Sequence, residues 1–196
     1  MTGTPFRVCV FCGSRPGVEP AHREAAAALG RAIGQGQAEL VYGGGRVGLM
    51  GVLADAALAA GARVTGVIPQ KLMAHEVGHA GLSELHVVAN MHARKQRMAE
   101  GADAFVVLPG GIGTMEEFFE VWTWRQLGYH DQPIGLLNVA GYYDPLLAQI
   151  DAMVAQGFLA PAQLGSLRLD SDPERLLRNL RADALESTAR DDYSQI

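Results

Sequence analysis

Short apolar segments of strand length alternate along the chain with segments whose apolar residues recur at helical spacing. The predicted strands are Phe6–Cys12, Glu39–Tyr42, Arg63–Ile68, Leu85–Val88, Ala104–Leu108, Ile134–Asn138 and a short one near Ser166–Leu169. The predicted helices are Glu19–Ile33, Leu49–Ala60, Met91–Gly101, Thr114–Leu127, Pro145–Gln156 and one that begins at Pro173. The strands are apolar throughout, which is typical of a parallel sheet with helices on both faces. The pattern predicts an α/β fold with a doubly wound, Rossmann-like parallel sheet.

Length and charge narrow the interpretation further. We expect one three-layer domain over residues 1–186 and a polar C-terminal tail over residues 187–196. Sixteen Lys and Arg residues against 21 Asp and Glu residues give a net charge of −5, which argues against a nucleic-acid partner. No run approaches the roughly 18 apolar residues of a membrane span, and the first residues do not resemble a signal peptide. With only two cysteines, we expect a cytoplasmic protein that does not bind membranes.

Glycine is over-represented, at 24 of 196 residues, and most of it lies in loops that follow predicted strands. Ligands of doubly wound sheets bind beyond the carboxyl ends of the strands, and helix N-termini attract anions. The loops 12–14, 43–48 and 109–114 therefore predict a phosphate-binding site. The phosphate-loop candidates in the first two loops are Gly13, Ser14, Gly43, Gly44 and Gly45.

The glycine spacing also resembles a dinucleotide-binding fingerprint. Gly43, Gly45 and Gly48 satisfy it, but the third predicted strand does not end in the Asp or Glu that binds the ribose of NAD. We therefore expect no nicotinamide dinucleotide and no other cofactor.

Two further motifs are interpreted as accidental. Cys9 and Cys12 have CxxC spacing but lie in a strand, where an odd offset directs side chains to opposite faces. Residues 75–79 read His-Glu-Val-Gly-His, as in zinc proteases, but the segment is short and contains glycine. Leu85 also occupies the position of the third histidine in the longer version of that motif. We therefore expect no metal site.

Residues 109–117 read Pro-Gly-Gly-Ile-Gly-Thr-Met-Glu-Glu and match the PGGxGTxxE signature of the LONELY GUY family, cytokinin-activating phosphoribohydrolases once mislabelled lysine decarboxylases. The resemblance extends through CVFCGSRPG, YGGGRVGLMG, EVGHAGLSELHVV, MHARKQRMAE and GLLNVAGYYDPLL, nearly the whole chain. It implies a homodimer that hydrolyses the N-glycosidic bond of an N6-modified adenosine 5′-monophosphate. The products would be the free base and ribose 5-phosphate. The helix 114–127 is apolar on several faces, which also suggests a subunit interface.

The resemblance also implies which residues form the site. Arg94 and Glu117 match the pair regarded as catalytic. The positions that match ligand-binding residues are Glu76, Arg94, Lys95, Gly110, Gly111, Ile112, Gly113, Thr114, Met115, Glu116 and Thr123. Departure of a nucleobase develops positive charge at ribose C1′, which a carboxylate such as that of Glu117 stabilises while it orients or deprotonates water.

Several alternatives remain open at this point. Thr114 and Glu117 also fit a capping box, in which Glu117 would serve only to start a helix. The protein could instead hydrolyse plain AMP in nucleotide salvage. It could also be a carrier that binds a nucleotide or a nucleotide-bearing cofactor without catalysis. Lysine decarboxylation would need a lysine that carries pyridoxal phosphate, and Lys71 and Lys95 are the two lysines of the chain.

Overall fold

A computed structural model of the protein describes residues 5–73 and 78–187. The strands are β1 (Arg7–Phe11), β2 (Glu39–Tyr42), β3 (Val64–Pro69), β4 (Glu84–Val88), β5 (Ala104–Val107), β6 (Ile134–Leu137) and β7 (Leu167–Asp170). The helices are α1 (Pro20–Gln35), α2 (Gly48–Ala59), α3 (Gln70–Met73), α4 (Met91–Glu100), α5 (Ile112–Leu127), α6 (Asp144–Ala155), α7 (Pro161–Leu164) and α8 (Pro173–Glu186), with a 3₁₀ turn at Val139–Gly141.

The seven strands form one parallel sheet in the order β4-β3-β2-β1-β5-β6-β7. Val8 in the central strand β1, for example, pairs with Leu40 of β2 on one side and Ala104 of β5 on the other. The chain first moves outward from β1 to β4 and then returns to β5 on the opposite side of β1. This reversal creates a crevice at the carboxyl ends of β1 and β5, where doubly wound sheets bind their ligands.

Helices cover both faces of the sheet, as the continuous apolar strands predict. One core lies between the sheet and α1, α2 and α8, and the other between the sheet and α4, α5 and α6. Cys9 belongs to the second core and Cys12 to the first, so the two thiols lie on opposite faces. The predicted three-layer α/β architecture is confirmed.

The structure differs from the prediction in the short elements. The four-residue helices α3 and α7 were not predicted, because a single turn is too short to show a helical repeat of apolar residues. The predicted polar tail lies largely outside the described residues. None of the helices in the two described ranges is long and apolar enough to cross a lipid bilayer.

Candidate active site

A cavity of about 920 Å³ lies at the carboxyl edge of the sheet, in the crevice between β1 and β5. Its walls come from the loop after β1, the start of the loop after β2, helix α4, the segment 109–117 and Tyr142. This volume is within the usual range for a small-molecule site, roughly 300–1,000 Å³.

The three glycine loops are bonded to one another at this edge. The Gly13 N–H donates to Pro109 O at 3.0 Å, and the Leu49 N–H donates to Gly13 O at 3.0 Å. A Cβ on Gly13 would lie 2.9 Å from Arg15 O and 3.3 Å from the Gly110 Cα. Only glycine permits this close approach of the loops that follow β1 and β5.

Arg94 is held in one orientation at the inner wall of the cavity. Its helix, α4, is capped by Asn90, whose Oδ1 accepts from the Ala93 N–H at 2.8 Å. The Arg94 side chain is buried, and its Nε donates to Val67 O at 3.1 Å. Its Nη2 donates to Gly43 O at 3.2 Å. These two bonds leave Nη1 facing Glu117, 3.8 Å from its Oε1.

Glu117 lies on α5, and the start of that helix excludes the capping-box interpretation. The N-cap is Gly111 and the helix begins at Ile112, so Thr114 is already inside the helix and buried. Glu117 therefore lies well past the N3 position at which a capping-box glutamate bonds back to the N-cap. Its side chain is buried beside Arg94 instead.

The surroundings of Glu117 move its ionisation toward neutral pH. Burial raises the pKa of Glu117 to about 7, against the opposing effect of the Arg94 charge. Glu116 and Glu120 raise the pKa further, whereas Lys95 lowers it. A carboxyl group that changes charge near pH 7 is well suited to accept a proton from water.

The structure brings most of the predicted site residues together. The cavity is lined by Gly13, Ser14, Gly43, Arg94, Gly110, Gly111, Ile112, Gly113, Thr114, Glu116 and Glu117. Glu76 lies outside the described residues. The amide groups of residues 111–114, at the N-cap and the first turn of α5, have no partner inside the helix, and these four residues belong to this lining.

Among the described residues, five predicted site residues lie outside the lining of the cavity. Lys95 Nζ bonds Glu116 Oε1 at 2.5 Å and Glu120 Oε1 at 2.8 Å. Met115 packs against the second core, and Thr123 is exposed on α5.

Gly44 and Gly45, the other two, contact the segment that follows residue 77 instead of the cavity. Gly44 O accepts from the His79 N–H, and Gly45 forms an isolated antiparallel bridge with Gly78. The second glycine loop thus contributes to the cavity mainly through Gly43, whose carbonyl holds Arg94.

Sequence reasoning did not assign a role to two aromatic residues of the cavity wall. His22 of α1 is buried, and its ring meets the ring of Tyr142 edge-on with centroids 5.5 Å apart. The sequence could have indicated Tyr142, since this residue lies in the GYYDPLL segment that resembles the family. Nothing in the sequence indicated His22, because its place in the cavity wall depends on how α1 packs.

The second histidine of the zinc-protease motif, His79, forms hydrogen bonds within the protein. His79 Nδ1 accepts from the Gly81 N–H at 3.1 Å, so Nε2 carries the proton and lies 2.8 Å from Asp55 Oδ1. Both ring nitrogens are therefore engaged. Within residues 5–73 and 78–187, no group of three or more His, Cys, Asp or Glu side chains could hold a metal ion.

Comparison with known proteins identifies the family. The family described as "possible lysine decarboxylase" matches residues 50–180. The cytokinin riboside 5′-monophosphate phosphoribohydrolase of Rhodococcoides fascians is 50% identical over 180 residues, which are 91% of each chain. One such enzyme of Arabidopsis thaliana is 48% identical over 174 residues, 89% of this chain and 80% of the relative. The chain belongs to this phosphoribohydrolase family. The resemblance seen in the sequence is confirmed.

Two solved structures with low sequence identity share the fold. The molybdenum cofactor binding protein of Rippkaea orientalis has a TM-score of 0.69 at 20% identity, covering 93% of this chain and 99% of that chain. The molybdenum cofactor carrier protein of Chlamydomonas reinhardtii has a TM-score of 0.68 at 18% identity, with the same coverage. At this identity the likeness concerns the fold alone.

Neither lysine of the chain fits the chemistry in the family's older description. Lys71 is exposed on α3, away from the residues that line the cavity. Burial lowers the pKa of Lys95, but its hydrogen bonds to Glu116 and Glu120 outweigh this and raise the pKa above the usual value. A lysine that forms a Schiff base needs an accessible neutral amine, so these residues do not fit pyridoxal phosphate.

Proposed function

We propose that the protein hydrolyses the N-glycosidic bond of cytokinin riboside 5′-monophosphates, releasing the N6-modified base and ribose 5-phosphate. The observation that carries the proposal is the buried pair of Arg94 and Glu117, 3.8 Å apart in the wall of a cavity at the N-terminus of α5. The names of relatives about 50% identical over most of the chain support the same activity.

The substrate phosphate fits the N-terminus of α5. The amide groups of residues 111–114 have no partner within the helix, and the positive end of the helix dipole favours an anion there. The protein as a whole carries a net charge of −5, so attraction for a phosphate must come from these local groups. Glu117 lies further along the same helix, where ribose C1′ of a bound nucleotide would follow.

Glu117 supplies the negative charge that the reaction needs. As the C1′–N bond breaks, its electron pair leaves with the base and C1′ becomes positive. The ionised Glu117 carboxylate stabilises this charge and takes a proton from the water whose oxygen bonds to C1′. The proton then neutralises the departing base, so atoms and charges balance.

Arg94 keeps Glu117 ready for this role. Its charge opposes the effect of burial on the pKa of Glu117. Its bonds to the carbonyls of Val67 and Gly43 prevent the guanidinium from turning away. Arginine suits the position because its planar fork serves three directions at once and keeps its charge when buried.

Base release from purified protein tests the proposal. N6-isopentenyl-AMP and AMP are incubated with the protein, and free base is measured by chromatography. We expect a higher kcat/KM for the N6-modified nucleotide and loss of release in Glu117→Gln, but not in the exposed control Glu100→Gln. Equal rates with the two nucleotides would favour AMP salvage, and binding without release from either would favour a carrier.

We further propose a cytoplasmic homodimer without metal or cofactor, whose ligand is the nucleotide and not a nucleic acid or a membrane. The exposed Thr123 and Leu127 on α5, a helix that is apolar on several faces, support an interface between subunits there. The free buried thiols of Cys9 and Cys12 support a reducing compartment. Light scattering should give twice the mass of one chain, and Thr123→Arg should lower it to that of one.

A further inference from the structure

Tyr142 bonds directly to the loop at the start of α5. Its hydroxyl donates to the Gly110 carbonyl at 2.5 Å, and the residue, which is 40% exposed, lines the cavity. The next residue, Tyr143, is buried and donates to the Leu108 carbonyl at 2.6 Å. Two consecutive tyrosines thus hold the carbonyl groups on the two sides of Pro109.

The turn that carries these tyrosines is itself held in place. Asn138 Oδ1 accepts from the Tyr143 N–H at 2.7 Å, and its Nδ2 donates to Asp144 Oδ1 at 2.7 Å. Gly141 has a φ of 70°, and a Cβ there would lie 2.7 Å from Asp144 Oδ2. The backbone therefore presents Tyr142 in one position, and the His22 ring packs against the Tyr142 ring with the two planes at 81°.

The bond to Gly110 also orients the following amide. The Gly110 C=O and the Gly111 N–H belong to one planar trans peptide, so they point in opposite directions. With the carbonyl held toward Tyr142, the Gly111 N–H points the other way. Gly111 is the N-cap of α5 and lines the cavity. Glycine on both sides of this peptide would otherwise let it rotate.

We propose that Tyr142 is a positioning residue that fixes the Gly110–Gly111 peptide so that its amide donates to the substrate's 5′-phosphate. This inference rests on the proposed phosphoribohydrolase function. The advantage is preorganisation, because an amide that already points at the phosphate loses no freedom when the nucleotide binds. The effect of Tyr142 should therefore depend on the phosphate and not on the base.

The test compares Tyr142→Phe with wild type on N6-isopentenyladenosine 5′-monophosphate and on the corresponding riboside. We expect kcat/KM for the monophosphate to fall roughly tenfold, the effect of one hydrogen bond, while kcat/KM for the riboside is unchanged. The inhibition constant of ribose 5-phosphate should rise by a similar factor, and that of ribose should not change. Tyr129→Phe removes the same hydroxyl from a tyrosine outside the cavity lining and should change none of these values.

Thermal unfolding of each variant separates positioning from folding. If Tyr142→Phe lowers kcat/KM equally on both substrates, or lowers it on neither, the inference about Tyr142 is overturned. The proposed phosphoribohydrolase function would still stand in either case. If wild type releases no base from either substrate, the proposed function fails instead. In that case the binding of ribose 5-phosphate to wild type and to Tyr142→Phe is measured directly. Equal affinity of the two proteins for ribose 5-phosphate overturns the inference.

Discussion

Nη1 of Arg94 lies 3.8 Å from Oε1 of Glu117. Arg94 belongs to α4, which precedes strand β5 in the chain, and Glu117 belongs to α5, which follows it. Both side chains are buried. Removing two charges from water is costly, and a buried ion pair is often no better for stability than apolar residues of the same size. Its presence in the wall of a cavity fits the proposed catalytic role, in which a fixed charge stabilises the transition state.

Activity should depend on pH through Glu117. Because the Glu117 carboxylate is the active form in the proposed reaction and its pKa is about 7, kcat/KM should fall about tenfold per pH unit below that value. Arg94 lowers this pKa, so in Arg94→Gln the acidic limb should move to higher pH and the maximal rate should drop at least 10²-fold. A pH–rate profile with its acidic limb near the ordinary glutamate value of 4.5 would contradict a base with a raised pKa.

The Glu117→Gln variant should be inactive, but above pH 7 it should be more stable toward unfolding than wild type. The folded pKa of about 7 is above the usual 4.5, so the contribution of Glu117 to stability is fully present below pH 4.5 and is lost as pH rises through 7. The shift corresponds to about 3 kcal/mol. Urea unfolding should show the free energy of unfolding of wild type falling by that amount, relative to Glu117→Gln, between pH 4 and pH 8. Parallel curves would contradict the raised pKa.

Gly43→Ala should disable Arg94 without changing any charge. A Cβ at Gly43 would collide with Arg94 Nη2 and lie 3.2 Å from its Cζ, so the guanidinium must leave its position beside Glu117. We expect a loss of kcat of at least tenfold and an acidic limb at higher pH, as for Arg94→Gln. Gly101→Ala is the matched control, because Gly101, like Gly43, has no positive φ and a Cβ there would make only ordinary contacts at 3.7 and 3.9 Å.

The 5′-phosphate should contribute to turnover as well as to affinity. If its binding energy orients the ribose below Glu117, the riboside should show a lower kcat at saturation than its 5′-monophosphate. Each charge-assisted bond contributes roughly 1.5–3 kcal/mol, so the loss of two or three lowers kcat/KM by several powers of ten. Steady-state kinetics on N6-isopentenyladenosine and its monophosphate measures this. Similar values for the two would disprove phosphate binding by the glycine loop.

Chelation should leave the activity unchanged. The His79 ring is already engaged by Asp55 and the Gly81 amide, and glycosidic cleavage as proposed uses a carboxylate and water. Base release is measured before and after dialysis against EDTA, with and without added zinc. Activity that disappears on dialysis and returns with zinc would reinstate the His75–His79 motif as a metal site.

The sequence by itself determined the elements and the edge of the sheet at which the site lies. Long strands and helices were predicted correctly because apolar runs and helical periodicity are local properties, visible within ten to fifteen residues. The loops after β1 and β5 were predicted to share one edge because parallel strands end on the same side. The resemblance of residues 109–117 to a family signature pointed to the activity.

Only the tertiary structure decided which of these residues meet. It placed Arg94 beside Glu117, paired Lys95 with Glu116 and Glu120, and bonded Tyr142 to the Gly110 carbonyl. It also showed that Glu117 is no helix cap, because α5 begins at Ile112 with Gly111 as its N-cap and Thr114 lies inside the helix. The three side-chain contacts depend on strand order and helix packing over separations of 20 residues or more, where contacts follow from the burial of whole faces rather than from spacing along the chain.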